Sequence, residues 1–261
     1  MISAPTDNGL IERQIDGGDV VGEPHIIDAL SHVLAQHRSL YAWAAGQAQP
    51  RAMRGRAPVY VAMLPGTNET VVVRHAWHGG LFAPITSDRF RHPTRAPHEY
   101  RMSQALRSVG VPTTAILGFA RYRAAFGLCR VDVVSRLEPD AYDLGHVAAK
   151  LVPDVATAEA LDATRTLLVL LATHHIVHPD LNVKNILLQR DRMGRLRAMV
   201  IDVDVVRIEK TASFSYVMLR NVRRLERSLN KWRVRVADTL TDAELIAFSQ
   251  SARDAVADVS P

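Results

Sequence analysis

Residues 178–188 read HPDLNVKNILL, and this stretch decides how the rest of the chain is interpreted. Its pattern is H-x-D-L-x-x-x-N followed by a short apolar run. A second acidic stretch, VIDVD at residues 200–204, follows another apolar run downstream. The two stretches predict a loop and a nearby strand end that together present carboxylate and amide oxygens.

Oxygen atoms of this kind suit phosphoryl transfer, because that reaction depends on positioning the nucleophile and neutralising phosphate charge. One carboxylate must lie beside the attacking hydroxyl. A second carboxylate and an amide oxygen must hold magnesium, a cation that prefers oxygen ligands. Matched to the kinase pattern, Asp180 is the predicted catalytic residue, which orients the acceptor hydroxyl and takes its proton. Asn185 and Asp202 are the predicted magnesium ligands, and His178 is expected to brace the loop.

The motif also has a purely structural interpretation, in which Asp180 and Asn185 only cap backbone groups of a polar turn. Three features that agree favour the catalytic interpretation. A buried helix is predicted before the motif, a strand pair is predicted after it, and VIDVD stands at the expected place.

The chain before the motif has the pattern of an antiparallel sheet with one helix. The helix is predicted at residues 94–109, with Thr94 as its cap and Gly110 at its end. A polar break, EPDAYDLG, follows at residues 138–145 and is a predicted hinge. Strand-like runs are predicted at residues 57–63, 69–74, 111–123 and 125–137.

After the break the pattern becomes mainly helical. Residues 156–175 predict a helix that is apolar nearly all round and therefore buried. NILLQ and RAMVIDVDVV predict short strands joined by the turn-rich RDRMGR. TDAE at residues 241–244 has the capping-box pattern and predicts the start of a last helix. A basic helix precedes it, with an apolar stripe at Met218, Val222, Leu225, Leu229, Trp232 and Val236.

The order of these elements predicts an α+β class and a bilobal protein-kinase-like fold. The N-terminal lobe is an antiparallel sheet with one helix, and the small C-terminal lobe is mainly helical. Residues 25–47 predict one or two further helices, although the role of residues 1–50 as a whole is left open. The expected domains are residues 1–138, an N-terminal lobe that includes this helical extension, and residues 139–261, the catalytic lobe.

The N-terminal half also offers residues that can bind a nucleotide. In VVVRH a basic residue ends a strand, where kinases place the lysine that pairs with the α- and β-phosphates. Arg74 is the candidate, with His75 as the alternative, and Glu99 on the following helix is the predicted partner. An arginine is a departure, because arginine and lysine are not interchangeable. Gly55 in RGRAPVY is a weak sign of a phosphate-covering loop, since G-x-G-x-x-G is missing.

Further stretches are not generic kinase features, above all RHAWHGGL at residues 74–81 and the basic NVRRLERSLNKW at residues 221–232. Together with RGR, TRAPHEYRM, GVP, HPDLNVKNILL and VIDVD, they resemble the lipopolysaccharide kinases, in particular the 3-deoxy-D-manno-octulosonic acid (Kdo) kinases. The resemblance covers residues 54–232. Pro179, Val203 and Ala76 depart from the family pattern, but none of them removes a catalytic oxygen.

The resemblance implies ATP and Mg2+ as cofactors and phosphorylation of a hydroxyl of Kdo on lipid A, in lipopolysaccharide core biosynthesis. It also implies a peripheral location on the cytoplasmic face of the inner membrane. The exact acceptor, its hydroxyl and the oligomeric state remain open. Two alternatives remain as well. One is another small-molecule phosphotransferase of the same fold, of aminoglycoside or heptose type. The other is a pseudokinase binding module, which Arg74 and the poor glycine loop suggest.

The formal net charge of +5 favours anionic partners. Basic residues crowd the predicted helix at residues 220–235, which is expected to contact lipid A phosphates or an anionic membrane surface. The alternative is a solvated face opposite the apolar stripe. No nucleic-acid partner is expected, because the chain has few aromatic residues and no recognised DNA- or RNA-binding motif.

Other classes of protein are disfavoured by simple features. A single cysteine, Cys129, cannot form a disulfide framework. The longest apolar stretch, LLVLLA, is far shorter than the roughly 18–20 residues of a membrane-spanning helix. The N-terminal residues lack the pattern of a secretory signal, so a cytoplasmic location is expected. A zinc site is disfavoured because Pro179 predicts a loop beside the neighbouring histidines His174, His175 and His178.

Overall fold

The computed structural model describes residues 9–47, 51–53, 58–77, 88–91, 94–236 and 240–257. The chain divides into two compact units. The first consists of Met1–Gln104 and Ala115–Leu137, and the second of Ala105–Thr114 and Glu138–Pro261. Helices and antiparallel strands are both present, so the predicted α+β class is confirmed.

The first unit contains a seven-stranded antiparallel sheet with the order β1-β2-β6-β7-β5-β4-β3. The strands β1 and β2 were not predicted from the sequence. They form a hairpin around Gly17, whose φ of +79° suits glycine. The strands are β1 (Ile11–Ile15), β2 (Gly18–Gly22), β3 (Arg51–Met53), β4 (Val59–Met63), β5 (Thr70–His75), β6 (Ile116–Arg123) and β7 (Cys129–Arg136).

Helices cover both faces of this sheet. The helices α1 (Ile27–Gln36) and α2 (Leu40–Ala45) confirm the prediction for residues 25–47 and pack on one face, against Val71 and Val73 among others. The helix α3 (Ala96–Ser108) packs on the other face. Successive side chains of a strand point to opposite faces, so the β-branched strands bury residues on both sides. The segment before residue 47 thus contributes the strands β1 and β2 to the sheet, in addition to the helices α1 and α2.

The predicted cap of α3 is wrong. The hydroxyl oxygen of Thr94 is buried and has no hydrogen-bond partner among the described residues. The helix starts at Ala96, and the Glu99 N–H donates to the carbonyl of Arg95 at 2.9 Å. The Thr94 hydroxyl therefore does not cap the helix. The predicted end is confirmed, since Gly110 has a φ of +78° and follows the last turn.

The second unit contains four helices and two small sheets among its described residues. The sheets have the orders β11-β10-β8 and β12-β9. The helices are α4 (Leu144–Ala148), α5 (Thr157–Thr173), α6 (Phe214–Arg235) and α7 (Asp242–Ala257). The strands are β8 (Tyr142–Asp143), β9 (Ile176–Val177), β10 (Ile186–Arg190), β11 (Leu196–Val200) and β12 (Arg207–Ile208).

The helix α5 lies at the centre of this unit and packs against β11, α6 and α7. It is not buried all round, because Asp162 and Thr166 face solvent while Leu168 and Leu171 are fully buried. The helix α6 buries the predicted apolar stripe from Met218 to Leu229. The predicted capping box of α7 is also confirmed.

Two local predictions need correction. The strand predicted from RAMVIDVDVV ends at Val200, because Asp202 has a φ of 60° and the chain then forms a 3-10 turn at Val203–Val205. The polar break is also more ordered than predicted. The Asp143 carboxylate accepts from the His146 N–H at 2.9 Å and caps α4. Gly145 lies inside α4, where a Cβ atom would come within 3.1 Å of Trp232.

Candidate active site

The loop from His178 to Asn185 is held by its own side-chain amides. The Asn182 and Asn185 side chains both donate to the carbonyl oxygen of Asp180, each at 2.9 Å. Asn182 also accepts from the Lys184 N–H at 2.9 Å. These bonds replace a regular backbone ladder and fix the conformation of the loop around Asp180.

The predicted magnesium ligands emerge from the same end of the β10–β11 hairpin. The Ile201 N–H donates to the Asn185 carbonyl at 3.0 Å, which continues the ladder one step beyond the Ile186–Val200 pair. Asp202 follows directly, with φ 60° and ψ 51°. Among residues other than glycine, Asp and Asn adopt this left-handed conformation most readily, because their short polar side chains can bond locally.

His178 connects the loop to the strand end that carries Asp202. Its N–H donates to Asn221 Oδ1 at 3.0 Å, and its ring Nε2 donates to the Ile201 carbonyl at 3.2 Å. Burial lowers the pKa of His178, which outweighs the opposing effects of that carbonyl and of the nearby aspartates. The ring is therefore neutral at neutral pH. This geometry agrees with the bracing role expected for His178.

One face of α6 contacts the loop along its length, and these contacts were not predicted from the sequence. The contacting residues follow one another at spacings of three and four. Asn221 donates to the Ile176 carbonyl at 2.9 Å, and Ser228 Oγ accepts from the Val183 N–H at 3.1 Å. Further along, the Trp232 ring lies 5.6 Å from Lys184 Nζ. Two polar residues that each directly precede a residue of the apolar stripe, Asn221 before Val222 and Ser228 before Leu229, were the available sequence signal.

Arg224 lies on the same face and pairs with the predicted catalytic residue. Its Nη2 is 2.5 Å from Asp180 Oδ1. The Arg224 side chain is 33% exposed and that of Asp180 is 51% exposed. The pair is therefore accessible to a molecule in solution while its orientation is held from α6.

In the first unit, the predicted pairing of Arg74 with Glu99 is observed. Arg74 Nη2 donates to both carboxylate oxygens of Glu99, at 2.6 and 2.7 Å. The Glu99 side chain is only 5% exposed. A charge-assisted contact of this kind holds the guanidinium at the end of β5.

His75, the alternative candidate, is engaged elsewhere. Its Nδ1 lies 2.6 Å from Asp132 Oδ1 and its Nε2 lies 3.2 Å from Asp88 Oδ2. Asp132 is fully buried and also accepts from the Tyr41 N–H and the Tyr122 hydroxyl. Burial by itself lowers the pKa of His75, but the two carboxylates outweigh it and raise the pKa. This network attaches α2 to the sheet.

The donor set of the second unit fits magnesium. Asn185 uses its Nδ2 in the bond to the Asp180 carbonyl, so its Oδ1 can serve as one ligand, and the Asp202 carboxylate as another. Magnesium is commonly bound by one or two carboxylates plus substrate phosphates and water. Within the described ranges, no group of three or more His, Cys, Asp or Glu side chains is arranged to hold a metal ion. Gly55 lies outside the described residues.

The lipopolysaccharide kinase (Kdo/WaaP) family model matches residues 42–251, which include all of the loop and hairpin described above. The chain belongs to this family. The resemblance inferred from RHAWHGGL, HPDLNVKNILL and the basic helix is thereby confirmed.

Curated relatives of this family member are named as kinases. A 3-deoxy-D-manno-octulosonic acid kinase of Haemophilus influenzae (strain Rd) is 30% identical over 164 residues, which cover 61% of this chain and 65% of that protein. The kinase of the same name from Mannheimia succiniciproducens is 30% identical over 137 residues, 51% of this chain and 55% of that protein. The match thus spans a little less than two thirds of the length of the Haemophilus relative.

A solved structure described as WaaP in complex with acyl carrier protein is also similar. It has a TM-score of 0.47 and 12% identity, over 80% of this chain and 83% of that chain. In the part of this family member that the structure describes, no helix has the length and apolar character needed to cross a bilayer.

Proposed function

We propose that this chain is an ATP-dependent kinase that phosphorylates a hydroxyl of Kdo attached to lipid A. The observation that supports this most directly is the arrangement of Asp180, Asn185 and Asp202. The Asn185 side chain donates to the backbone carbonyl of Asp180, and the Asn185 carbonyl accepts from the Ile201 N–H, directly before Asp202. Membership of the lipopolysaccharide kinase family and the names of the curated relatives favour the same acceptor.

Each residue has a distinct proposed role. Asp180 orients the acceptor hydroxyl and takes its proton. The hydroxyl oxygen attacks the γ-phosphorus of ATP, and the bond from that phosphorus to the oxygen of the β-phosphate breaks. Asn185 and Asp202 hold Mg2+, which supplies charge neutralisation to the nucleotide phosphates when bound. His178 keeps the strand end in place through the Ile201 carbonyl.

Arg74 is the proposed partner of the nucleotide phosphates. Its contact with Glu99 is the same type of cation–carboxylate pair that kinases form with lysine. His75 is not proposed for this role, because both of its ring nitrogens face carboxylates.

A peripheral position on an anionic membrane surface is proposed through α6. Several basic side chains of this helix are exposed, among them Arg223, Arg227 and Lys231. Basic residues near an anionic surface contribute about 1 kcal/mol each. Sedimentation with vesicles tests this. The protein should bind vesicles rich in phosphatidylglycerol and lose binding in the triple charge reversal of these residues. Equal binding to neutral phosphatidylcholine vesicles would contradict it.

The catalytic proposal is tested by phosphate transfer from γ-labelled ATP with magnesium. The acceptors are Kdo–lipid A, an aminoglycoside and a generic protein. We expect labelling of the Kdo lipid alone and its loss in Asp180→Ala, by about 100-fold or more, since general acid–base groups contribute 10²–10⁴-fold.

Other outcomes separate the alternatives. Labelling of the aminoglycoside instead would assign a different acceptor to the same chemistry. A folded protein that fails to bind ATP would be a pseudokinase. Activity of Asp180→Ala within about tenfold of the wild type would show that Asp180 is not the catalytic carboxylate.

A further inference from the structure

Arg224 carries more hydrogen-bond donors than its contact with Asp180 uses. A guanidinium has five N–H donors in a planar fork. The bond to Asp180 Oδ1 uses Nη2. Arg224 Nε is buried and has no hydrogen-bond partner among the described residues. Because Nε is buried, a further acceptor would have to reach the donors in the exposed third of the side chain.

The position of the guanidinium indicates where that acceptor comes from. One third of the Arg224 side chain and half of the Asp180 side chain are exposed. A molecule whose hydroxyl reaches Asp180 can therefore also reach Arg224. A carboxylate, like a phosphate, matches a guanidinium fork with two parallel hydrogen bonds.

The surrounding charge favours an anion at this place. Arg220, Arg224, Arg227 and Lys231 follow one another at spacings of four, three and four, so they share one side of α6. Arg220 is paired with Glu209, whereas Arg227 and Lys231 are exposed. A cationic acceptor would meet like charges on this side of the helix, which disfavours its binding.

We infer that Arg224 is a specificity-determining residue that binds a carboxylate of the acceptor while it holds Asp180. This inference rests on the proposed function, in which the acceptor hydroxyl lies at Asp180. An acidic sugar brings its own carboxylate close to the Asp180 carboxylate, and the two negative charges repel each other. The guanidinium between them offsets that repulsion and sets the distance between the sugar carboxylate and the reacting hydroxyl.

The test compares binding of free Kdo with binding of its methyl ester, by calorimetry and by saturation-transfer NMR. The wild type should bind the acid at least tenfold more tightly than the ester. Arg224→Gln should bind both weakly and without preference. Arg224→Lys should retain part of the preference, because an ammonium offers charge without the fork. Arg253→Ala, which removes an exposed arginine of α7, should behave like the wild type.

Equal binding of acid and ester by the wild type would overturn the inference, and so would a full acid preference in folded Arg224→Gln. Phosphate transfer from labelled ATP to the acid and to the ester, measured in the same variants, separates the proposed kinase function from the proposed binding role of Arg224. If the acid binds through Arg224 but is never phosphorylated, the proposed function fails while the binding role of Arg224 stands. If transfer falls equally for acid and ester in Arg224→Gln, Arg224 acts only on Asp180 and the acceptor contact is refuted.

Discussion

Arg74 and His75 are adjacent on β5, and their side chains form ion pairs on opposite faces of the sheet. Arg74 pairs with Glu99 of α3, whereas His75 pairs with Asp132 beside α2. The alternation of side chains along a strand requires this separation. The two candidates for the nucleotide-binding cation therefore have different environments, and substitutions can distinguish them.

Arg74→Ala should weaken ATP binding by about tenfold or more, because it removes a proposed phosphate contact. His75→Gln, the matched neighbour, should leave ATP affinity within about twofold. Both are measured by titration with a fluorescent ATP analogue, with circular dichroism to confirm folding. A weaker ATP affinity in His75→Gln than in Arg74→Ala would reverse the assignment.

His75 should make the stability of the protein depend on pH. The folded state raises its pKa, so the protonated ring stabilises the fold fully below the unfolded pKa of about 6.5. This contribution is lost as the pH rises through the folded pKa. We therefore expect the free energy of unfolding to be higher in the wild type than in His75→Gln. The difference should be largest near pH 6 and smallest near pH 9.

The measurement is urea unfolding of both proteins across this range. His178 acts in the opposite direction, because burial lowers its pKa and its contribution is lost as the pH falls below about 6.5. It is present in both proteins and cancels in the difference. A difference that stays constant with pH would refute the role of His75.

Asn221→Leu should destabilise the second unit by about 2 kcal/mol or more. Asn221 is fully buried and satisfies the His178 N–H and the Ile176 carbonyl. Removing it leaves two buried backbone groups without partners, at about 1–3 kcal/mol each. Asn230→Ala on the same helix is the control, because Asn230 is exposed and its side chain bonds, among the described residues, only the Glu226 carbonyl. Comparable losses in the two variants by thermal unfolding would contradict the argument.

Asp202→Asn should weaken ATP binding only when magnesium is present. The substitution keeps the shape of the side chain and removes the negative charge of the proposed ligand. Titration of nucleotide with magnesium, and again with EDTA, measures the two affinities. Asp204→Asn, two residues further on, should keep the magnesium effect. An unchanged magnesium dependence in Asp202→Asn would exclude the ligand role.

Much of the local structure could be predicted from the sequence. The hairpin of β4 and β5, the helix α3, the apolar stripe of α6 and the capping box at Thr241 all depend on residues close together in the chain. The strands β1 and β2 were missed, although DGG at residues 16–18 between two alternating runs is a hairpin signal. The strands β1 and β2 have only five residues each, so their alternation of side chains is too short to be recognised before the helical pattern that follows.

The sequence by itself determined which side chains the loop offers, namely Asp180, Asn185 and Asp202, because a loop motif and the strand end after it are local features. Only the tertiary structure decided their partners. Asp180 meets Arg224, which is 44 residues away in the chain, and Arg74 rather than His75 faces Glu99. Contacts of this kind depend on which surfaces of distant elements pack together, and no local periodicity encodes that.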